Sequence, residues 1–284
     1  AGKILAPTIG GGRFRWVALL TGSKNAVKGF GLLLGAVLLG VFGFVPSVLA
    51  MAAVLFVILV AALIGMPSGL PAGRKDAKFK EVFSKNRNIN WLSAARLFLF
   101  GARDVWFVVG IPVYFYAVLS DGSVAGNRAA FFMIGTFMAV WTILYGAVQA
   151  SAPRLLKARD RTPDDILLQA RRWVGLLVVV PLLLAVLVWS TDGPSSVLTM
   201  LIVIGLLVFG GIFAVNSALH SYLILLFTDA RRVTMDVGFY YMSNAAGRLV
   251  GTVLSGLSYQ LGGIALCLAA AAVMIVLSWL AVGR

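Results

Sequence analysis

Three ionisable residues lie in the middle of segments that are otherwise apolar. Arg103 and Asp104 are adjacent near the centre of one segment, and Arg248 lies near the centre of another. An arginine at the centre of a lipid bilayer costs roughly 2.5–3.5 kcal/mol even on the lenient insertion scale, so it needs a water-filled cavity, a partner, or both. A guanidinium presents a planar fork of N–H donors, which suits a phosphate-like or carboxylate group. These residues therefore predict an anion-binding site inside a membrane.

Asp104 supplies the negative charge in this set. Neighbouring residues on an α-helix point about 100° apart, so we expect Arg103 and Asp104 to be poor partners for each other. Arg248, at matching depth, is the expected partner of Asp104. A carboxylate that exchanges a cation for a proton would couple binding to proton movement, whereas a permanent Arg–Asp pair would only hold two helices together.

Other polar residues stand at helical spacing near these. Asn244 lies four residues before Arg248, and Tyr240 lies a further turn back, so the three share one helix face. Asn216 and His220 form a similar pair in another apolar segment, where a lone histidine more often makes a hydrogen bond between helices than carries protons. A polar stripe is therefore expected to face the protein interior.

Three further basic residues, Lys24, Lys28 and Arg96, lie nearer the ends of their segments, where long side chains can reach the lipid headgroups. They are expected to contribute less than the central residues. The predicted substrate-binding residues are Arg103, Arg248, Asn244, Lys24 and Asn216, with Asp104 as the coupling residue and with support from Arg96, Lys28, His220 and Tyr240.

The composition is that of a membrane protein. Of the 284 residues, 61% are hydrophobic and 12% are charged, and the mean hydropathy is +0.98. Soluble domains have roughly 45–50% apolar and about 25% charged residues. The net charge of +14 does not indicate nucleic-acid binding, because the basic residues are separated by apolar segments instead of forming one patch.

The residue inventory also argues against several kinds of chemistry. A single cysteine, Cys267, excludes a disulfide framework and a cysteine metal site. The apolar segments contain no paired carboxylates, no His/Glu metal cluster and no Ser–His–Asp set, which argues against a membrane-embedded enzyme. We therefore predict no catalytic residues, no metal and no cofactor.

The apolar segments are long enough, as helices, to cross a bilayer about 30 Å thick. They predict eight spans near Trp16–Phe44, Pro46–Met66, Ile89–Leu119, Arg128–Ser151, Trp173–Ser190, Ser196–Phe227, Asp236–Tyr259 and Gly262–Val282. Lys and Arg are concentrated in alternate loops, which places both ends of the chain in the cytoplasm. The basic loop 67–88 is expected to be a cytoplasmic link that contains an interfacial helix, with a solvated linker as the alternative for its first half.

Glycines are spaced in two of the predicted spans so that helix backbones could approach closely. They are Gly31, Gly35 and Gly40 in the first span, and Gly247, Gly251 and Gly256 in the seventh.

Several segments resemble those of organoarsenical efflux permeases of the major facilitator superfamily. The resemblance runs from about residue 16 to residue 256. It rests on TGSKN at 21–25, FLFGARDVWFVV at 98–109, FAVNS at 213–217 with HSY at 220–222, DVGFYYM at 236–242, and GR at 247–248 with GTVLSG at 251–256.

This resemblance implies an all-α bundle of twelve transmembrane helices, of which the eight predicted spans would be helices five to twelve. The natural chain is then expected to begin earlier, so that this chain is N-terminally truncated. Residues 1–68 would hold the last two helices of the first six-helix half, 69–88 the loop between the halves, and 89–284 the second half.

The resemblance also implies a function. The permeases export 1-arseno-3-phosphoglycerate, which glyceraldehyde-3-phosphate dehydrogenase makes when arsenate replaces phosphate. It therefore implies a multi-pass protein of the inner (plasma) membrane that confers arsenate resistance as a proton-coupled antiporter, with a small anionic substrate and a functional link to that dehydrogenase.

The residues leave two other functions open. One is a major facilitator exporter of another organic anion or drug. The other is a membrane subunit that does not transport, which the charges at mid-membrane depth disfavour because they would be a cost without a use.

Overall fold

The structure is a computed structural model that describes residues 13–65, 84, 86–156, 162–228 and 232–283. These residues form helices and short connections and contain no strand. The helices are α1 (Arg13–Phe42), α2 (Phe44–Gly65), α3 (Arg87–Val105), a π-helical turn (Trp106–Gly110), α4 (Ile111–Leu119), α5 (Val124–Leu155), α6 (Pro163–Trp189), α7 (Ser196–Phe227) and α8 (Val233–Val282). Most of the predicted cytoplasmic link 67–88, including its interfacial helix, lies outside the described residues.

Within the described part of the chain, seven helices are long and apolar enough to cross a membrane. This confirms a multi-pass membrane protein. The longest span, Met235–Val282, has 48 residues, and its backbone leaves the helical conformation at Gly262 and Gly263. Gly263 has φ +62°, in the left-handed region that favours glycine. The break falls where the sequence predicts the boundary between the last two spans.

Two helices begin well before the predicted apolar spans. Helix α5 starts at Val124, where the Ser123 side chain accepts a hydrogen bond from the backbone of Gly126. Helix α6 starts at Pro163 after Thr162, which forms a capping box with Asp165. Apolar patterns mark only the lipid-facing part of a helix, and polar caps extend it beyond that part. The predicted starts at residues 128 and 173 are therefore too late.

Helices α3 and α8 pack closely along one another through glycines. A Cβ atom on Gly247 would collide with the carbonyl group of Leu97, and one on Gly251 would collide with the backbone of Gly101. Two of the glycines predicted for close packing thus bring α8 against α3, whereas Gly256 has open space around it. This contact sets Arg248, next to Gly247, beside the middle of α3.

The other close helix pair is α1 with α5. Its contact is made by Gly22, whose Cβ would meet the carbonyl of Gly146, and by Gly29 against Ile143 and Ala139. The prediction for α1 is wrong, because the predicted glycines, Gly31, Gly35 and Gly40, have nothing within 4 Å. They occupy a different face of the helix.

Helix α2 leaves nearly all of its side chains exposed, and Ser47 is its only buried residue. Leu55, Phe56 and Ile64 are among the most exposed apolar side chains in the described structure. So much apolar surface suits lipid and not water. Helix α2 therefore lies outside the packed core that surrounds α3.

The glycine contact between α3 and α8 gives a first test. Replacing Gly251 by alanine forces the two helices apart, and overpacking of this kind typically costs about 1–3 kcal/mol. We expect the Gly251→Ala variant to unfold at lower temperature in detergent. Gly256→Ala on the same helix is the matched control, and its stability should be unchanged or slightly higher because alanine is the better helix former. Equal effects from the two substitutions would contradict a tight crossing at Gly251.

Candidate functional site

The three central charged residues meet in the structure. The Asp104 carboxylate has a side-chain exposure of 1% and lies between two arginines. Arg248 donates its Nε–H to Asp104 Oδ2 at 2.8 Å, across the α3–α8 contact. Arg103 donates its Nε–H to Asp104 Oδ1 at 2.6 Å, and its amino group also contacts that oxygen. We call these three residues the charged triad.

The expected partnership of Asp104 with Arg248 is therefore present, but the expectation that Arg103 and Asp104 would not pair is wrong. The 100° angle between neighbours applies to the Cβ atoms. An arginine has four rotatable bonds, and its guanidinium can turn around the helix to reach the adjacent carboxylate. One acid is thus shared by two cations.

The helix segment after the triad has irregular backbone hydrogen bonding. Ile111 donates its N–H to the carbonyl of Trp106, five residues back, as in a π-helix. Pro112 follows directly and has no N–H to donate, which removes one of the α-helical bonds of this turn. The N–H groups of Val109 and Gly110 instead donate to Ser255 Oγ on α8, at 3.2 and 3.1 Å. Ser255 thus fixes α8 to α3 two turns beyond Arg248.

The triad carries a net positive charge, and a lysine increases it. Lys28 on α1 is within electrostatic range of Arg103, Arg248 and Asp104, and Lys24 lies one turn away on the same helix. Both lysine side chains are exposed in the described structure. Arg248 is itself half-exposed, with 48% of its side-chain surface accessible. The triad therefore has an open side, toward α1, from which an anion can approach.

Arg96 occupies a second polar cluster, so it does not use the alternative of reaching toward the headgroups. Its residue exposure is 3%. Its Nε–H donates to Asn244 Oδ1 at 3.2 Å, and one amino group donates to Ser217 Oγ and to the Ser217 carbonyl, at 3.2 and 3.4 Å. The neutral acceptors on α7 and α8 draw the side chain inward. Asn244, predicted to assist Arg248, contacts Arg96 instead.

A chain of hydrogen bonds continues from Ser217 to α5 and α1. Tyr145 and Gln149 both donate to Ser217 Oγ at 3.0 Å, and Asn25 donates to Gln149 Oε1 at 2.6 Å. The network joins α1, α5, α7, α3 and α8. It connects the α1–α5 pair to the α3–α8 pair through side chains alone.

Two of the remaining predicted residues, Tyr240 and His220, lie near Arg96. The guanidinium of Arg96 lies 5.0 Å from the centre of the Tyr240 ring. His220 is fully buried, is within electrostatic range of Arg96, and has no hydrogen-bond partner at either ring nitrogen among the described residues. Asn216 donates to the carbonyl of Ile212 on its own helix. The predicted site thus separates into two clusters.

Sequence reasoning missed the residues that connect the helices. Gln149 and Tyr145 are four residues apart in an apolar span, which was a usable signal for a shared polar face. Ser217 and Ser255 gave no comparable signal, because serine is common in membrane helices as a packing residue. Their roles depend on which neighbouring helix they face.

The fold and the triad define a class, a multi-pass helical membrane protein with a shared carboxylate between two arginines in its interior. In the described part of the chain, no three His, Cys, Asp or Glu side chains are grouped as metal ligands. Comparison with family models, with curated proteins and with solved structures gives no match.

The triad predicts an unusual order of stabilities among charge variants. Asp104→Asn removes the shared acid and leaves two cations facing each other. We expect a loss of about 3 kcal/mol, the low end of the range for a broken buried ion pair, because Arg248 is half-exposed. Replacing the whole triad by Gln, Asn and Gln at 103, 104 and 248 leaves no unpaired charge and should cost less. Thermal unfolding in detergent measures both, and a less stable triple variant would contradict the shared-carboxylate arrangement.

Ser255 allows a second stability test. Ser255→Ala removes the hydroxyl that accepts hydrogen bonds from the Val109 and Gly110 N–H groups, and the net value of a hydrogen bond is typically about 0.5–1.5 kcal/mol. Thr252→Ala is the control on the same helix, since the Thr252 hydroxyl is exposed and donates only to the carbonyl of Arg248. Hydrogen exchange at Val109 and Gly110 should accelerate in the first variant and not in the second.

Proposed function

We propose that this protein is a secondary transporter of a small anionic solute, and that the solute is an arsenylated phosphoglycerate exported to give arsenate resistance. The observation that carries the proposal is the excess of positive charge at the triad. Two arginines share one carboxylate there, with Lys28 in range. Membrane helices rarely carry uncompensated cations unless these face a pathway for a substrate or an ion.

The triad supports an exchange mechanism. Arg248 uses Nε for Asp104, so its two amino groups remain available to a bidentate oxyanion. An incoming phosphate-like group competes with Asp104 for the guanidiniums of Arg103 and Arg248, because the incoming group and the carboxylate both accept hydrogen bonds from these two cations. A carboxylate that loses these partners in a buried site favours protonation. Asp104 is in this way the proposed coupling residue, because its affinity for a proton depends on whether the two arginines remain bound to it.

The identity of the solute rests on the resemblance of the segments that contain the triad. Arg103 and Asp104 lie within FLFGARDVWFVV, and Arg248 lies within the GR pair at 247–248. A plasma-membrane location with both ends of the chain in the cytoplasm accords with the basic loops. An exported substrate has to be made in the cytoplasm. Its proposed source is the reaction of glyceraldehyde-3-phosphate dehydrogenase with arsenate.

Arsenic export from cells tests the proposal directly. Cells that express the protein from its natural gene together with glyceraldehyde-3-phosphate dehydrogenase should survive arsenate and release organic arsenic. Arg103→Ala and Arg248→Ala should each reduce export at least tenfold, because a charge-assisted hydrogen bond to the anion is worth about 1.5–3 kcal/mol. Quantifying arsenic in the medium, at matched protein levels in the membrane, gives the measurement.

A matched control is Arg128→Ala, which removes an exposed arginine from the first turns of α5, far along the chain from the triad. Its export should equal that of the unchanged protein. Full arsenate resistance in the Arg103→Ala cells would refute the role of the triad. Competition by unrelated organic anions, with none by phosphoglycerates, would instead identify an exporter of another organic anion or drug.

A further inference from the structure

Arg96 is a buried cation that donates hydrogen bonds to neutral groups of Asn244 and Ser217. Asp104, the acid of the charged triad, is occupied by Arg103 and Arg248. Asp104 also lies eight residues along α3, about 12 Å from Arg96 by helix rise. An arginine removed from water without an acid beside it is costly, and neutral acceptors offset only part of that cost.

The guanidinium also has unused donors. Its bonds to Asn244 and Ser217 use Nε and one amino nitrogen. A guanidinium has five N–H groups in a fixed fork, so donors remain for a further acceptor. An oxyanion is the acceptor that also supplies the missing charge.

The side chains around Arg96 add further polar groups. Both ring nitrogens of His220 are buried and have no hydrogen-bond partner among the described residues, and a neutral imidazole carries one N–H donor. The buried hydroxyls of Ser221 and Tyr240 lie within reach of each other, and a bond between them uses only one of their two hydrogens. His220, Ser221 and Tyr240 are each 0% exposed. The ring of Tyr240 lies beside the Arg96 guanidinium. Native proteins pair nearly all such groups, so the unpaired imidazole of His220 close to a buried cation favours a further acceptor at this place.

Arg96 is separate from the triad yet aligned with it. Arg96 and Arg103 are seven positions apart in the sequence, so both lie on one face of α3, two turns from each other. The ring of Phe100 lies between them, with its centre 3.8 Å from the Arg96 guanidinium and 5.3 Å from that of Arg103. The ring face attracts both cations and keeps them apart.

We propose that Arg96, with His220, Ser221 and Tyr240, forms a second binding site for one oxyanion group of the phosphate or carboxylate type. Phe100 separates this site from the triad, so a solute occupies the two sites in turn along α3. The second site rests on the proposed anion transport for its physiological ligand, but its binding chemistry does not require the triad.

Radiolabelled inorganic phosphate, added to the purified protein in detergent, tests the proposal by equilibrium binding. The unchanged protein should bind two phosphates per chain. Asn244→Asp places a carboxylate where Asn244 Oδ1 already accepts from Arg96, so it should satisfy the cation and reduce the number bound to one. Asn244→Ala, the matched control, removes the same acceptor without adding charge and should still bind two.

The neutral triad, with Gln, Asn and Gln at 103, 104 and 248, assigns the sites. It should bind one phosphate, and Asn244→Asp added to it should abolish that binding, whereas Asn244→Ala should not. The second site is refuted if the neutral triad binds none while the unchanged protein binds one, a result that leaves the triad as the anion site. If the unchanged protein binds only one phosphate, and that phosphate persists in the neutral triad and is lost with Asn244→Asp, the result would support the second site and refute the triad. If the neutral triad does not fold, equal stoichiometry of Asn244→Asp and Asn244→Ala in the unchanged protein would refute the second site.

Discussion

The carboxylate of Asp104 balances two cations, and the arrangement of α3 and α8 depends on it. Without this acid, Arg103 and Arg248 would repel each other in a low-dielectric interior, where interactions between charges are stronger than in water. With it, each arginine has a charge-assisted bond at 2.6 or 2.8 Å. The glycine contact at Gly247 and Gly251 is needed for the same reason, since a wider helix separation would take Arg248 out of reach of Asp104.

The triad and the cluster around Arg96 are stabilised by different kinds of interaction. The triad keeps an internal counter-charge that an anion can replace, so it is stable when empty. Arg96 relies on the hydrogen bonds that it donates to neutral acceptors on α7 and α8, and on the rings of Phe100 and Tyr240. Neutralising the triad and adding a negative charge beside Arg96 are therefore each expected to remove one anion site.

The sequence was sufficient to predict the membrane class, most of the spans and the residues of the triad, because charges in apolar segments are rare and conspicuous. It was insufficient for side-chain direction. Arg103 reaches its neighbour Asp104 because its long side chain can turn around the helix, and Arg96 turns inward because α7 and α8 supply its acceptors. The glycines of α1 show the same limit, since spacing marks candidates for close packing but the neighbouring helix selects Gly22 and Gly29.

The π-helical turn changes which residues of the third span face inward. Leu92, Leu99 and Trp106 recur every seven residues and are all buried, and a regular helix would continue the series at Val113. Val113 is instead 41% exposed, and Tyr114 is buried. The extra residue in the turn advances everything beyond it by about 100° around the axis. The span thus consists of two segments with different inward faces, so a single helical wheel drawn through all 33 residues mixes lipid-facing and core-facing positions. Deleting one residue from this turn would rotate the segment beyond it back by about 100° and bring Val113 toward the buried face.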